Sequence, residues 1–130
     1  MKKIQILLFI SVATALASCR GNSMYYDEAT SSIKSCTSQP ITNIVIESEG
    51  ALLNFELKPG RSASDFRLNG DNPDFNLSHV QPVGVTELKL KPNTVYKIIN
   101  MTDGGSYLSN IKLRTDGSGK IQGASKTDCD

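Results

Sequence analysis

At 130 residues the chain is long enough for one domain and too short for two. Its 14 basic side chains nearly cancel its 13 acidic ones, leaving a formal net charge of +1, so it lacks the long-range field that attracts nucleic acid or anionic lipid. Three Cys and one His are too few for a closed Cys/His zinc site, no glycine-rich phosphate loop occurs, and no cofactor or metal is expected.

Met1-Lys2-Lys3 is a short cationic start. Ile4 to Ala17 follows as an apolar run broken only by Gln5, Ser11 and Thr14. As a helix it would be about 21 Å long at ~1.5 Å per residue, short of the ~30 Å hydrocarbon core of a bilayer. A charged start, a short apolar middle and small residues before a break describe a secretory signal over residues 1–18. The break reads Leu16-Ala17-Ser18-Cys19. That tetrad resembles the lipobox of bacterial lipoproteins: Leu, two small residues, then Cys at the cleavage point. The resemblance implies that Cys19 takes a diacylglyceryl group on its thiol and becomes the first residue after cleavage. Two or three acyl chains then give stable membrane attachment, where one alone holds only marginally. Arg20 stands where enterobacterial lipoproteins kept at the inner membrane commonly carry Asp. No acidic cluster follows Cys19, unlike the surface-export signal of some Bacteroidetes lipoproteins. The resemblance thus implies an outer-membrane lipoprotein facing the periplasm.

Residues 19–35 are mostly polar without a sustained period and read as a tether. Within it, Tyr25 and Tyr26 are either mildly exposed linker residues or contacts to headgroups or a partner.

Residues 36–130 read as one β domain. Ile41 to Glu47 is rich in β-branched residues, and Ala51 to Leu57 alternates, with Leu53, Phe55 and Leu57 on one face. Lys58-Pro59-Gly60 ends that run with turn chemistry. Asp65 to Leu68, Phe75 to Gln81, Val85 to Leu90, Thr94 to Asn100 and Tyr107 to Arg114 follow, and Lys120 to Gly123 closes the set. Seven or eight short strands with frequent turns, and no helical stripe, predict an all-β, antiparallel, immunoglobulin-like β-sandwich.

The stretch Leu90-Lys91-Pro92-Asn93-Thr94-Val95-Tyr96-Lys97-Ile98 follows the pattern L-x-P-x-T-x-Y-x-I. It resembles the corner between the fifth and sixth strands of fibronectin type III domains, over about residues 88–115. The resemblance implies that Leu90 plugs the core, Pro92 turns the chain, and the Tyr96 hydroxyl bonds back to the backbone near Leu90 to Pro92. With Cys19 committed to lipid, Cys36 and Cys129 remain, and an exported chain meets oxidising surroundings. A Cys36–Cys129 disulfide would pin both ends of the domain.

Catalytic chemistry is sparse. His79, the single His, lies in an alternating run without a visible nucleophile, and reads as a surface or rim residue. Asn69, Asp71, Asn72, Asp74 and Asn76 offer oxygens for a cation, but the spacing is not that of a calcium loop and Pro73 interrupts it, so a solvated turn is expected. Asp116-Gly117-Ser118-Gly119 reads as a tight hairpin turn. Asn76-Leu77-Ser78 and Asn100-Met101-Thr102 match the glycosylation sequon, which a bacterial lipoprotein does not ordinarily use.

The expected function is a non-catalytic interaction or structural module anchored at the bacterial envelope. Its partners are the membrane, through lipid at Cys19, and an envelope protein: an outer-membrane machine, a secretion component or a neutralised toxin. A carbohydrate- or peptidoglycan-binding lipoprotein is the alternative, which would need exposed aromatic rings; Phe55, Phe66, Phe75, Tyr96 and Tyr107 are mostly claimed by the core. An envelope enzyme ranks third.

Overall fold

The computed structural model describes residues 22–102 and 109–129. Cys19 and Tyr107 lie outside them. Among the described residues nine strands form: β1 (Met24–Asp27), β2 (Ser32–Ser35), β3 (Asn43–Ser48), β4 (Ala51–Leu57), β5 (Asp65–Arg67), β6 (Phe75–Gln81), β7 (Val95–Asn100), β8 (Ser109–Thr115) and β9 (Ile121–Ala124). They make two antiparallel sheets, one of order β1-β2-β5 and one of order β6-β4-β3-β7-β8-β9. The fold is an all-β sandwich, as the alternating runs predict.

Alternation decides which side of each strand faces in. In β8, Ser109, Ile111, Leu113 and Thr115 are buried, while Asn110, Lys112 and Arg114 are exposed. In β7, Tyr96, Ile98 and Asn100 are buried and Val95 and Lys97 are exposed. The core joins Met24, Tyr26, Ile33 and Phe66 of the small sheet to Ile44, Ile46, Leu53, Phe55, Ile98, Ile111 and Leu113 of the large one. Phe66 is fully buried. Its ring meets Phe55 of β4 edge-on at 4.9 Å between centroids, and Phe75 of β6 at 5.3 Å. Each such pair adds about 0.5–1.5 kcal/mol beyond area burial.

Two expectations are corrected. The tether over residues 19–35 is one: from Asn22 onward this segment belongs to the sandwich. Met24, Tyr26 and Ile33 are buried in the core, and β1 pairs with β2. The hairpin is only four residues a side, so the apolar period is too short to stand out among its polar neighbours. Those polar neighbours bond to one another. Lys34 and Asp27 form an ion pair at 2.8 Å. Bonds from Lys34 and from the Thr30 hydroxyl hold the Asp27 carboxyl below its ordinary pKa. The sandwich therefore begins before Cys36.

The second correction concerns Val85 to Leu90, which forms no strand. It belongs to the connection between β6 and β7, which are separated by β4 and β3 in the large sheet. The large sheet is twice as wide as its partner, and this connection lies over the face that the small sheet leaves open. Leu88 and Leu90 pack against the core from there. A segment crossing strands in this way has no strand alongside it to complete a ladder. With β1 and β2 added and this strand lost, the count is nine rather than seven or eight.

The corner after this connection is a tyrosine corner in geometry. Tyr96 is buried, and its hydroxyl accepts a hydrogen bond from the Lys91 N–H at 2.7 Å. The same residue is fixed through its carbonyl, because the Thr115 hydroxyl donates to Lys91 O at 2.6 Å. Thr115 Oγ1 also accepts from Thr94 N–H at 2.9 Å. Leu90 is half-buried, so it packs on the rim of the core rather than plugging its centre, and Pro92 is exposed. Gly119, at φ +86°, passes so close that a Cβ there would stand 3.2 Å from Leu90 O.

Cys36 and Cys129 form a disulfide, with Cα atoms 5.5 Å apart. It closes a loop of sequence separation 93, linking the segment after the small sheet's β2 to the segment after the large sheet's β9. The C-terminal segment also runs beside β1: Tyr26 N–H donates to Lys126 O at 2.9 Å, and Lys126 Nζ donates to Ser23 Oγ at 3.0 Å.

Tyr96→Phe removes one hydrogen bond and leaves the Lys91 N–H without it; chemical denaturation should show a loss of about 1–3 kcal/mol. Tyr96→Ala adds a cavity and should cost about 3–5 kcal/mol, whereas exposed Lys97→Ala should stay within ~0.5 kcal/mol. A Lys97→Ala loss as large as that of Tyr96→Ala would contradict the register of β7. Both disulfide cysteines should resist alkylation until reduced, and replacing both with Ala should cost roughly 2–5 kcal/mol. Ready alkylation of the native, unreduced protein would mean the bond is absent.

Candidate functional site

Three surfaces concentrate the residues that packing leaves unused. The first is the β6–β7 connection. Val83 is 96% exposed and Val85 is 37% exposed, the former at the tip of a turn completed by Gly84 at φ +104°. Leu88 anchors the connection against the core beneath. Val83 and Val85, two residues apart, are exposed apolar side chains on one connection, outside the core.

The second is a shallow groove of about 590 Å³ beside that connection. Its floor is Phe55, Phe75 and Leu77, and its walls are residues 68–72 and 86–90. Asp71, Glu87 and Lys89 supply charge at its mouth. The wall at residues 68–72 belongs to the loop whose oxygens suggested a cation. Asn72 of this loop instead serves the fold, since its Oδ1 accepts from Arg67 N–H at 2.8 Å and its Nδ2 donates to Arg67 O at 2.8 Å. The amide thus completes the outer edge of β5 as a neighbouring strand would, protecting that edge from pairing with another chain. Arg61 pairs loosely with Asp74 at 3.7 Å. Among the described residues, no group of three His, Cys, Asp or Glu side chains converges as a metal site.

The third is the end of the sandwich at which the described chain enters. Asn22 is fully buried there, and its carbonyl accepts from Asn100 Nδ2 at 3.2 Å. Asn100 Oδ1 in turn accepts from the backbone N–H and the hydroxyl of Thr102. Thr102 Oγ1 accepts from Thr42 N–H at 3.1 Å. This polar network explains why the Asn100 sequon is internal: the amide that a glycan would need is buried. Met101, between these two residues, is 41% exposed.

Other candidate residues fall where structure, not chemistry, uses them. His79 is exposed on β6 opposite Asn54, next to a bulge at which the Ser78 hydroxyl donates to Asn54 O. Asp116 Oδ1 accepts from Ser118 N–H, the Ser118 hydroxyl and Lys120 N–H, which lower its carboxyl pKa and hold the β8–β9 turn. Tyr26 is buried and Tyr25 half-buried, so neither is a linker residue. Phe55, Phe66, Phe75 and Tyr96 are buried, as the core requires. The exposure of Val83 carried no sequence signal, since the neighbouring Val85 to Leu90 reads as a strand.

Asn72→Ala should cost about 1–3 kcal/mol in denaturant melts, since it removes two hydrogen bonds to the β5 backbone. Asp71→Ala, exposed on the same loop, should stay within ~0.5 kcal/mol. Equal losses would mean that the loop works through its carboxylates instead. Compared with known proteins, the chain matches no family model, and no curated protein or solved structure matches it.

Proposed function

We propose that this chain is a lipoprotein of the bacterial envelope, anchored through Cys19, whose β-sandwich is a non-catalytic protein-interaction module. The observation that carries the proposal is the tetrad Leu16-Ala17-Ser18-Cys19 after a charged start and a short apolar run. The Cys36–Cys129 disulfide supports it, because such bonds persist in oxidising compartments outside the cytosol. The outer membrane, with the domain in the periplasm, is the location that Arg20 after the anchor favours.

We further relate the sandwich to the immunoglobulin-like class. Strands β1-β2-β5 over β3-β7-β8 correspond to A-B-E over C-F-G, with β4 and β6 added beyond C and β9 beyond G. The corner at Tyr96 supports this relation. The protein-binding reading rests on Val83, which the connection presents to solvent while the aromatic side chains of the core stay inside. A sugar platform would want the reverse arrangement.

In cells, the mature protein should label with palmitate and partition into detergent, and Cys19→Ser should abolish both. Labelling that persists in the Cys19→Ser variant would overturn the anchor. A photo-crosslinking residue at Val83 should capture an envelope protein, and one at exposed Arg114 on the sheet face should not. Equal capture from both positions would contradict a role for the connection.

A further inference from the structure

The geometry points to a fixed orientation on the membrane: the Asn22–Met101 end of the sandwich rests against the lipid headgroups, and the connection carrying Val83 faces away. The inference rests on acylation of Cys19 and adds what that reading does not contain. It follows from how little chain separates the anchor from folded structure. Only Arg20 and Gly21 lie between Cys19 and Asn22. At ~3.3–3.6 Å per residue, that stretch spans at most about 11 Å. Asn22 is fully buried and held by Asn100. A lipidated Cys19 therefore cannot let the domain float free as a long tether would.

Hydrogen bonds identify what shares that end. Asn22 leads to Asn100 and Thr102, and Thr102 to Thr42. Thr42 O accepts from Leu57 N–H, and Lys58 N–H donates to Asp74 O. Cys36 N–H donates to Ser23 O, which brings the disulfide to the same end. Met101, 41% exposed, and Arg61, with a side chain 63% exposed and only loosely paired with Asp74, are an apolar and a cationic group placed to meet headgroups there. A long cationic side chain buries its stem in the interface while its charge stays wet. Gln81 pairs with Leu52 at the opposite end of the large sheet. The six residues of β3 separate the two ends by about 17–20 Å at ~3.3 Å per residue. Val83 therefore stands beyond the headgroup layer, where a protein partner can reach it.

The test uses the acylated protein, purified from bacterial membranes and placed in vesicles of phosphatidylethanolamine and phosphatidylglycerol, roughly three to one, with the anionic share that attracts cationic side chains. The disulfide and the acyl group occupy the native cysteines, so one introduced thiol can carry a fluorophore. Met101→Cys, Arg61→Cys and Val83→Cys are labelled in turn and quenched with a headgroup nitroxide lipid. Quenching should be several-fold stronger at positions 101 and 61 than at 83. A flexible Gly/Ser spacer of about 10 residues between Arg20 and Gly21, with a root-mean-square reach of ~16–19 Å, should bring position 101 down toward the level of 83. Uniform quenching at all three positions, or stronger quenching at 83, in a protein that floats with the vesicles would overturn the orientation alone. A protein that does not float with the vesicles would overturn the anchor, and the orientation with it.

Discussion

The ring of Phe66, held edge-on between Phe55 and Phe75, joins two sheets of very unequal size. The small sheet has strands of four, four and three residues. Strands shorter than the usual ~5–6 residues bury little surface among themselves, so this sheet depends on packing against a partner. Burial of Met24, Tyr26, Ile33 and Phe66 against the large sheet supplies that partner. The disulfide and the Tyr26–Lys126 backbone bond then tie the first and last described segments together. A chain of this size gains from such a link because its core is small.

This inequality of the sheets also explains where the distinctive surfaces arise. A six-stranded sheet facing three strands leaves part of its inner face uncovered. The β6–β7 connection fills that space with Leu88 and Leu90, and in crossing it presents Val83 outward. The groove over Phe55, Phe75 and Leu77 is the gap remaining between the connection and the loop at residues 68–72. The tyrosine corner ends the connection: Tyr96 fixes the Lys91 N–H as the chain enters β7. Fold and candidate contact surface are thus consequences of one mismatch in width.

Much of the sandwich was legible because its central strands carry a clean period of two. Ala51 to Leu57 and Phe75 to Gln81 match β4 and β6 residue for residue. Tyr96 was legible through the resemblance of its corner motif, and the Cys36–Cys129 pair because reading Cys19 as the lipid anchor leaves two Cys. The β1–β2 hairpin was not, because Met24, Tyr26 and Ile33 are inward residues on strands too short to display periodicity. Val85 to Leu90 misled for the opposite reason. Its apolar positions at Leu88 and Leu90 serve a crossover packed on the core, which local alternation cannot distinguish from a strand. Which surfaces the fold leaves open depends on long-range topology, which the sequence does not display.

From Asn22 onward the described chain is folded, and the proposed orientation depends on how few residues separate Asn22 from Cys19. Hydrogen exchange of the native protein, resolved to single amides, tests it directly. The account predicts that Tyr26, bonded to Lys126 O, and Ser35, bonded to Ser64 O, exchange as slowly as Leu57, bonded to Thr42 O in the large sheet. Exchange of Tyr26 and Ser35 at the rate of an unfolded chain, with Leu57 still protected, would contradict it.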